Sequence, residues 1–393
     1  MANIHDYLIW RGDLSFDEHP FNDVDNLVLS AFAYLDFTGI IPTEEQGDSI
    51  ELRHACNELL TQSKGDVTPY VRSLAKVDTR FVKLIRKSPR FASARLSAYV
   101  DVVDKDRSLQ FSAMQIDLCG GGAFIAFRGT DTTLVGWQEN FMISFKVTDA
   151  QEEAARYVER AIGRLAQSDK DIRIGGHSKG GNLAEYAAAN CPEHLRQRIA
   201  CVYSNDGPGM APEVMQQSPR EILGDRLRII VPSFDVIGMI FSRKNEKRAI
   251  VASTASGFEQ HDITTWQILP SAIEEAEGLD PDCIPLNQTI ASWTKSIPLN
   301  ERERVTNEVF QALRVGGAKT FDQIMSSPAN LQKVLRALGT TDERTRSVVM
   351  DLVQRIIDSS VVAARSAVKK SFEDAKQRFA RGAKPHRASA VAE

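Results

Sequence analysis

Residues Gly176-His177-Ser178-Lys179-Gly180 set one serine between two glycines, in the pattern Gly-x-Ser-x-Gly. The chemistry this spacing serves is nucleophilic attack. A serine at the tip of a sharp strand-to-helix turn holds its hydroxyl clear of the sheet, and flanking glycines let neighbouring backbone approach without a Cβ clash. As bare text the pattern turns up by chance about one time in ten in a chain this long, so its flanks decide. Residues 171–174, Asp-Ile-Arg-Ile, read as a strand running into it, and residues 182–190 as an alanine-rich helix leaving it. Gly175 and Gly181 extend the crowding allowed. The competing reading is a phosphate-cradling turn at a helix N-terminus. It needs a Gly-x-x-x-x-Gly-Lys-[Ser/Thr] or dinucleotide pattern, and Gly-Gly-His-Ser-Lys-Gly-Gly is neither.

A serine attacks only when a base takes its proton and an acid orients that base. After such an elbow the partners follow in the order acid, then histidine. Of the seven histidines, His5, His19 and His54 precede the serine. His177 is adjacent to it and cannot curl back, His194 lies near the far end of the helix that the serine opens, and His386 sits in the tail. His261 remains as the base. Two aspartates compete as the acid. Asp206, in Ser204-Asn205-Asp206-Gly207-Pro208-Gly209, follows a strand pattern at 199–203, among turn formers that already give it a structural job. Asp235 follows the strand pattern at 227–231 and opens an apolar stretch, residues 236–241, where a charge needs a reason. Asp235 is favoured, with Asp206 as the alternative. The N–H of Lys179 is the expected oxyanion donor, and a second is expected from the loop after the strand pattern at 123–127.

The elements that must position these groups divide into three zones. Residues 1–90 read as an N-terminal helical segment that packs on or caps the core. Its early loop carries Asp13, Asp17, Glu18, Asp23 and Asp25 without the spacing of a calcium loop. Residues 91–285 alternate strand patterns (111–118, 123–127, 171–174, 199–203, 227–231, 249–252) with helical ones. That alternation predicts an α/β core: a mainly parallel sheet with helices on both faces and ligands beyond the carboxyl ends of the strands. Residues 286–393 read as helical, with Val348, Val349, Leu352, Ile356 and Ile357 at the helical spacing of a packed face, ending in a basic, flexible tail.

Composition excludes several classes. A net charge of −4 over 393 residues gives no field for nucleic acid. Five cysteines without CxxC spacing suggest neither a disulfide framework nor a zinc site, and point to a reducing compartment. No basic region followed by an apolar stretch opens the sequence, and no apolar run approaches a membrane span, so a cytoplasmic setting is expected.

The stretch Phe127-Arg128-Gly129-Thr130, followed by Trp137 and Asn140, resembles the oxyanion loop of the class-three, fungal-type lipases of the α/β-hydrolase superfamily. By that resemblance Thr130 is the second oxyanion residue, and the family's loop-holding acid falls near Asn140, where this chain has an amide. Phe234-Asp235-Val236-Ile237 is similar to the family's acid segment without its proline, and His261 with Trp266 to its histidine segment. The resemblance covers about the middle half of the chain and supports Asp235. The opening, Asp6-Tyr7-Leu8-Ile9-Trp10-Arg11-Gly12-Asp13, and the stretch from Gly176 to Ala184 look closer to a bacterial lipase-like branch classed as a domain of unknown function.

Together these features predict an α/β-hydrolase fold and a serine ester hydrolase acting on a small-molecule ester or lipid through an acyl-enzyme. The scheme calls for no metal or organic cofactor and no nucleic-acid partner, and leaves peripheral membrane contact open. An amidase or peptidase, and a thioesterase or acyltransferase, would use the same residues; a non-catalytic binding module would lack a reachable base. The Lys179 side chain is expected in solvent, or else facing an anionic substrate.

Overall fold

The computed structural model describes residues 2–73, 75–104, 109–130, 138–139, 142–143, 145–242, 246–285, 287–288 and 297–314, with isolated positions 317, 333, 334, 336, 343 and 346. The chain forms two compact units, Met1–Thr132 with Glu139–Ala291, and Thr133–Gln138 with Ser292–Glu393. The first unit carries one eight-stranded sheet whose spatial order follows the chain. Its strands are β1 (Ser49–Glu51), β2 (Arg95–Asp104), β3 (Leu109–Leu118), β4 (Gly122–Phe127), β5 (Ile172–His177), β6 (Ile199–Asn205), β7 (Leu227–Pro232) and β8 (Arg248–Val251).

β1 to β4 pair antiparallel and β4 to β8 pair parallel. The parallel half is the one that carries the serine motif. The hairpin between β3 and β4 turns through Gly120 and Gly122, at φ +75 and +82, a region open mainly to glycine. β1 lies within the N-terminal stretch that reads as helical, so that stretch also contributes the sheet's edge.

Both faces of the sheet are covered because its central strands are apolar on both sides. Along β4, Ala123, Ile125 and Phe127 join one cluster and Phe124 and Ala126 the other, the period-two alternation of a strand. The first cluster is completed by α5 (Asp149–Arg164) and α6 (Lys179–Asn190). α5 starts at a capping box formed by Thr148 and Gln151, and presents Ala154, Tyr157, Val158, Ala161 and Ile162 at helical spacing. On the opposite face lie α1 (Ile4–Trp10), α2 (Asp23–Phe32), α3 (Leu52–Gln62) and α4 (Thr79–Ile85). Their Tyr7, Leu27, Phe32 and Phe81 share a cluster with Phe124, Tyr203, Ile230 and Trp266.

The acidic loop before α2 folds around one cation. Arg90, almost fully buried, forms an ion pair with Asp25 at 2.6 Å and donates to the carbonyls of Leu14, Ser15, His19 and Pro20. Two short helices, α7 (Glu193–Arg196) and α8 (Pro219–Leu223), connect β6 to its neighbours, and α9 (Leu299–Arg314) belongs to the second unit. A parallel sheet flanked by helices on both faces, with a serine lifted at the carboxyl end of β5, is the α/β-hydrolase fold. The expected helical face at 348–357, the basic tail, Trp137 and Asn140 lie outside the described residues. Among the described residues no helix is long and apolar enough to cross a membrane.

Candidate active site

Strand β5 ends at His177 and α6 begins at Lys179, leaving Ser178 alone at the turn with φ 56 and ψ −128. A non-glycine residue held there costs about 1–3 kcal/mol, which the surroundings must offset. They do so by close approach. A Cβ on Gly176 would lie 2.6 Å from the Phe127 carbonyl oxygen, and one on Gly180 only 2.3 Å from it. The motif glycines therefore exist to admit the end of β4. The Ser178 N–H donates to the Asn205 carbonyl at 2.8 Å, and Asn205 is itself braced. Its amide donates to the Gly176 carbonyl at 3.0 Å and to Ser30 Oγ at 3.1 Å, and its Oδ1 accepts from Asn26 at 2.8 Å. The buried network ties α2 to the elbow. Ser178 Oγ is buried and makes no hydrogen bond among the described residues.

His261 closes a short 3₁₀ helix, Gly257–His261. That turn is pinned by the Trp266 indole, which donates to the Gln260 carbonyl at 2.7 Å. The Gln260 side-chain oxygen accepts from Ser233 Oγ and the Phe234 N–H beyond β7. The imidazole Nδ1 meets Asp206 Oδ2 at 2.6 Å. Asp206 stands just past β6 at φ 51, donates its N–H to the Ile230 carbonyl at 2.7 Å, and accepts the Gly238 N–H on Oδ1 at 2.9 Å. Burial alone would push this carboxyl up, but the charge of His261 and the hydrogen bond to it outweigh burial and hold it below the usual carboxylate range.

The acid that meets the histidine is therefore Asp206, the alternative, and the preference for Asp235 does not match the geometry. Asp206 has the structural job that its turn-forming neighbours suggest, holding Ile230 and Gly238, and from the same left-handed backbone its other oxygen meets His261. Asp235 is fully buried, and burial together with the Asp206 charge drives it well above the usual carboxylate range.

His177 lies behind the elbow. Its Nδ1 is 2.7 Å from the Tyr34 hydroxyl, and its ring packs tilted at 38° against that of His261 with centroids 4.6 Å apart. Burial first, then the charge of His261, lowers it to about 3, so the ring stays neutral, and the Tyr34 hydroxyl bonds Nδ1 and lies 3.4 Å from the His177 carbonyl oxygen.

The loop after β4 runs alongside the elbow because Phe127 pairs with Gly176 in register. A Cβ on Gly129 would lie 2.1 Å from the Tyr34 hydroxyl and 2.4 Å from the His177 carbonyl. The next residue, Thr130, is buried. Arg128 is held by a bidentate pair with Asp101 on β2, at 2.7 and 2.5 Å. Lys179 is the first residue of α6, where a backbone N–H has no intrahelical acceptor. Its side chain is neither in solvent nor facing a substrate. It is 1% exposed, and its Nζ donates to the Gln110 carbonyl and to Glu139 Oε2, each at 2.7 Å. Tyr34, Asn26, Asp101 and Glu139 were not legible beside the serine motif, since the contacts of each with the elbow, its bracing Asn205 or the loop after β4 come from a remote part of the chain.

Set beside known proteins, residues 85–311 match the family model described as Mbeg1-like. Among solved structures, M37 lipase is 16% identical with a TM-score of 0.35, over 55% of this chain and 69% of that one. A Rhizomucor miehei lipase in complex with its propeptide is 15% identical with a TM-score of 0.30, over 47% and 63%. A fungal lipase–inhibitor complex is 17% identical with a TM-score of 0.29, over 47% and 76%. The chain thus spans a little under two thirds of the Rhizomucor miehei enzyme. No curated protein matches the sequence. Likenesses to solved structures this remote say nothing of activity. The family match is another matter: it covers more than half of the chain and includes Ser178, Asp206 and His261, and the chain belongs to the Mbeg1-like family.

Proposed function

We propose that the protein is a serine hydrolase that cleaves carboxylic esters, lipid esters among them, with Ser178 as nucleophile, His261 as base and Asp206 as acid. The observation that carries this reading is the 2.6 Å contact between Asp206 Oδ2 and His261 Nδ1 beside a serine held at a strained elbow. His261 takes the Ser178 proton as Oγ attacks the ester carbonyl. The N–H of Lys179 and the Thr130 residue stabilise the oxyanion, and Asp206 stabilises the imidazolium. The protonated His261 then gives its proton to the departing alcohol, leaving an acyl-serine. Water, deprotonated by the same histidine, releases the acid. Every proton is moved by a side chain, so the scheme requires no cofactor. The base-to-nucleophile contact in such sites commonly tightens only when substrate is bound, in keeping with the unbonded Ser178 hydroxyl.

The test is labelling by a fluorophosphonate probe, followed by turnover of p-nitrophenyl esters of graded chain length beside matched anilides. Wild type is expected to label and Ser178→Ala not to. Asp206→Asn is expected to lower kcat by about 10⁴ through the wrong histidine tautomer. Equal labelling of wild type and Ser178→Ala would remove the nucleophile. Anilide turnover matching ester turnover would make the protein an amidase.

A further inference from the structure

The loop that follows β7 buries a second carboxyl group against the acid of the proposed triad. Asp235 is fully buried, and neither of its carboxyl oxygens accepts a hydrogen bond from any N–H or O–H among the described residues. The nearest cation, Arg248 Nη1, is 3.7 Å from Oδ2, beyond hydrogen-bond distance. That guanidinium is engaged elsewhere, with Glu246 at 2.9 Å and the Met239 sulfur at 2.7 Å. An ionised carboxylate without donors is not tolerated in such a place.

Asp206 has the opposite surroundings, with an N–H on one oxygen and an imidazole on the other. The two carboxyl groups meet over Gly238. A Cβ built on that glycine would be 2.9 Å from Asp206 Oδ1 and 3.0 Å from Asp235 Oδ1, so the two oxygens flank one point, and each carboxyl shifts the other's proton affinity. Two carboxyls this close do not both ionise, and the charge stays on the one with the better donors.

We infer that Asp235 is a positioning residue for the triad acid: a neutral carboxylic acid that shares one proton with Asp206 and donates it to that carboxylate. The inference rests on the triad reading. Burial, and then the Asp206 charge, favour the neutral form of Asp235, with Arg248 opposing from too far away to prevail. The remaining titratable groups around the pair do not alter this. His177 is neutral, the Cys283 thiol is pushed by burial to about 11, and Glu246 sits behind Arg248 and is paired with it. The shared proton spreads the Asp206 charge and fixes the carboxylate plane, so that Oδ2 stays aimed at His261.

The experiment compares Asp235→Asn with Asp235→Leu in the full chain. Asparagine is neutral, of equal size, and can donate to Asp206. It is expected to keep kcat/KM within about threefold of wild type and to leave the acidic limb of the pH–rate profile in place. Leucine cannot donate, and is expected to lower kcat/KM roughly tenfold and move the acidic limb to higher pH. If the leucine variant does not fold, the infrared difference spectrum of wild type minus Asp235→Asn at neutral pH decides the matter. A carboxylic-acid carbonyl band is expected in wild type and not in the variant. Absence of that band, or a collapse of Asp235→Asn as large as that of Asp206→Asn, overturns the inference and makes Asp235 an ionised acid. Failure of wild type to label with the phosphonate overturns the triad reading instead, while the infrared band still reports the Asp235 proton.

Discussion

Glu185 lies on α6 about two turns beyond the nucleophile and is 3% exposed. Its carboxyl is pushed up from 4.5 to about 8, first by burial and then by the charge of Glu246, against weaker help from Ser204, Arg248 and Arg220. The unfolded chain releases this proton near the ordinary value, while the folded chain keeps it to about 8. Between those two pH values the native state binds more protons, so stability is full below the unfolded value and is lost as pH rises toward the folded one. At pH 7 the proton is held about 2.5 pH units past its unfolded release point, and at 1.36 kcal/mol per unit this is about 3 kcal/mol. Glutamine cannot ionise, so Glu185→Gln removes the slope. Urea unfolding across pH 5 to 8 should show the variant gaining on wild type by about 3 kcal/mol over the window. Two curves that run parallel within about 0.5 kcal/mol would show that the folded chain ionises Glu185 freely, and would refute the reasoning.

Three further outcomes follow from the elbow. Ser178→Gly relieves the strained φ of 56 and should raise stability by about 1 kcal/mol in thermal unfolding while abolishing phosphonate labelling. Gly180→Ala drives a Cβ to within 2.3 Å of the Phe127 carbonyl, a backbone atom that cannot swing away. It should cost about 1–3 kcal/mol and reduce ester turnover. Lys179→Met strands the Glu139 carboxylate, whose side chain is 11% exposed, and should cost about 3 kcal/mol in urea unfolding at neutral pH. Recovery by Glu139→Gln in the same background is the check on that mechanism.

Six of the eight strands could be read from the sequence because they are short apolar runs bounded by turn residues. β2 could not. Its register breaks between Ser97 and Val100, and it ends in Asp101-Val102-Val103-Asp104, which has no apolar pattern. Missing β2 also hid Asp101, which reaches Arg128 only through the antiparallel ladder. Ser178 and His261 were legible because a local motif and chain order narrow the choice to one residue each. The carboxyl that meets His261 was harder to pick because local chemistry favoured Asp235. Turn formers around Asp206 mark a structural role and conceal its contact with His261, while the apolar run after Asp235 draws attention to a carboxyl that burial pushes well above its usual range.

The family match begins at residue 85, yet Asn26, Ser30 and Tyr34 reach the elbow from before that boundary. A fragment expressed from residue 85 onward would lose the whole helical cover of one sheet face, leaving Phe124, Tyr203 and Trp266 in contact with water. It would be expected to aggregate before it could be assayed. Such a fragment would also lose the Tyr34 hydroxyl that meets His177 Nδ1 and abuts Gly129 in the loop after β4. For cloning and for judging relatives alike, the smallest meaningful unit is therefore longer than the stretch the family shares: a relative that keeps Ser178 and His261 but lacks a counterpart of Tyr34 has kept the letters of the site without its support.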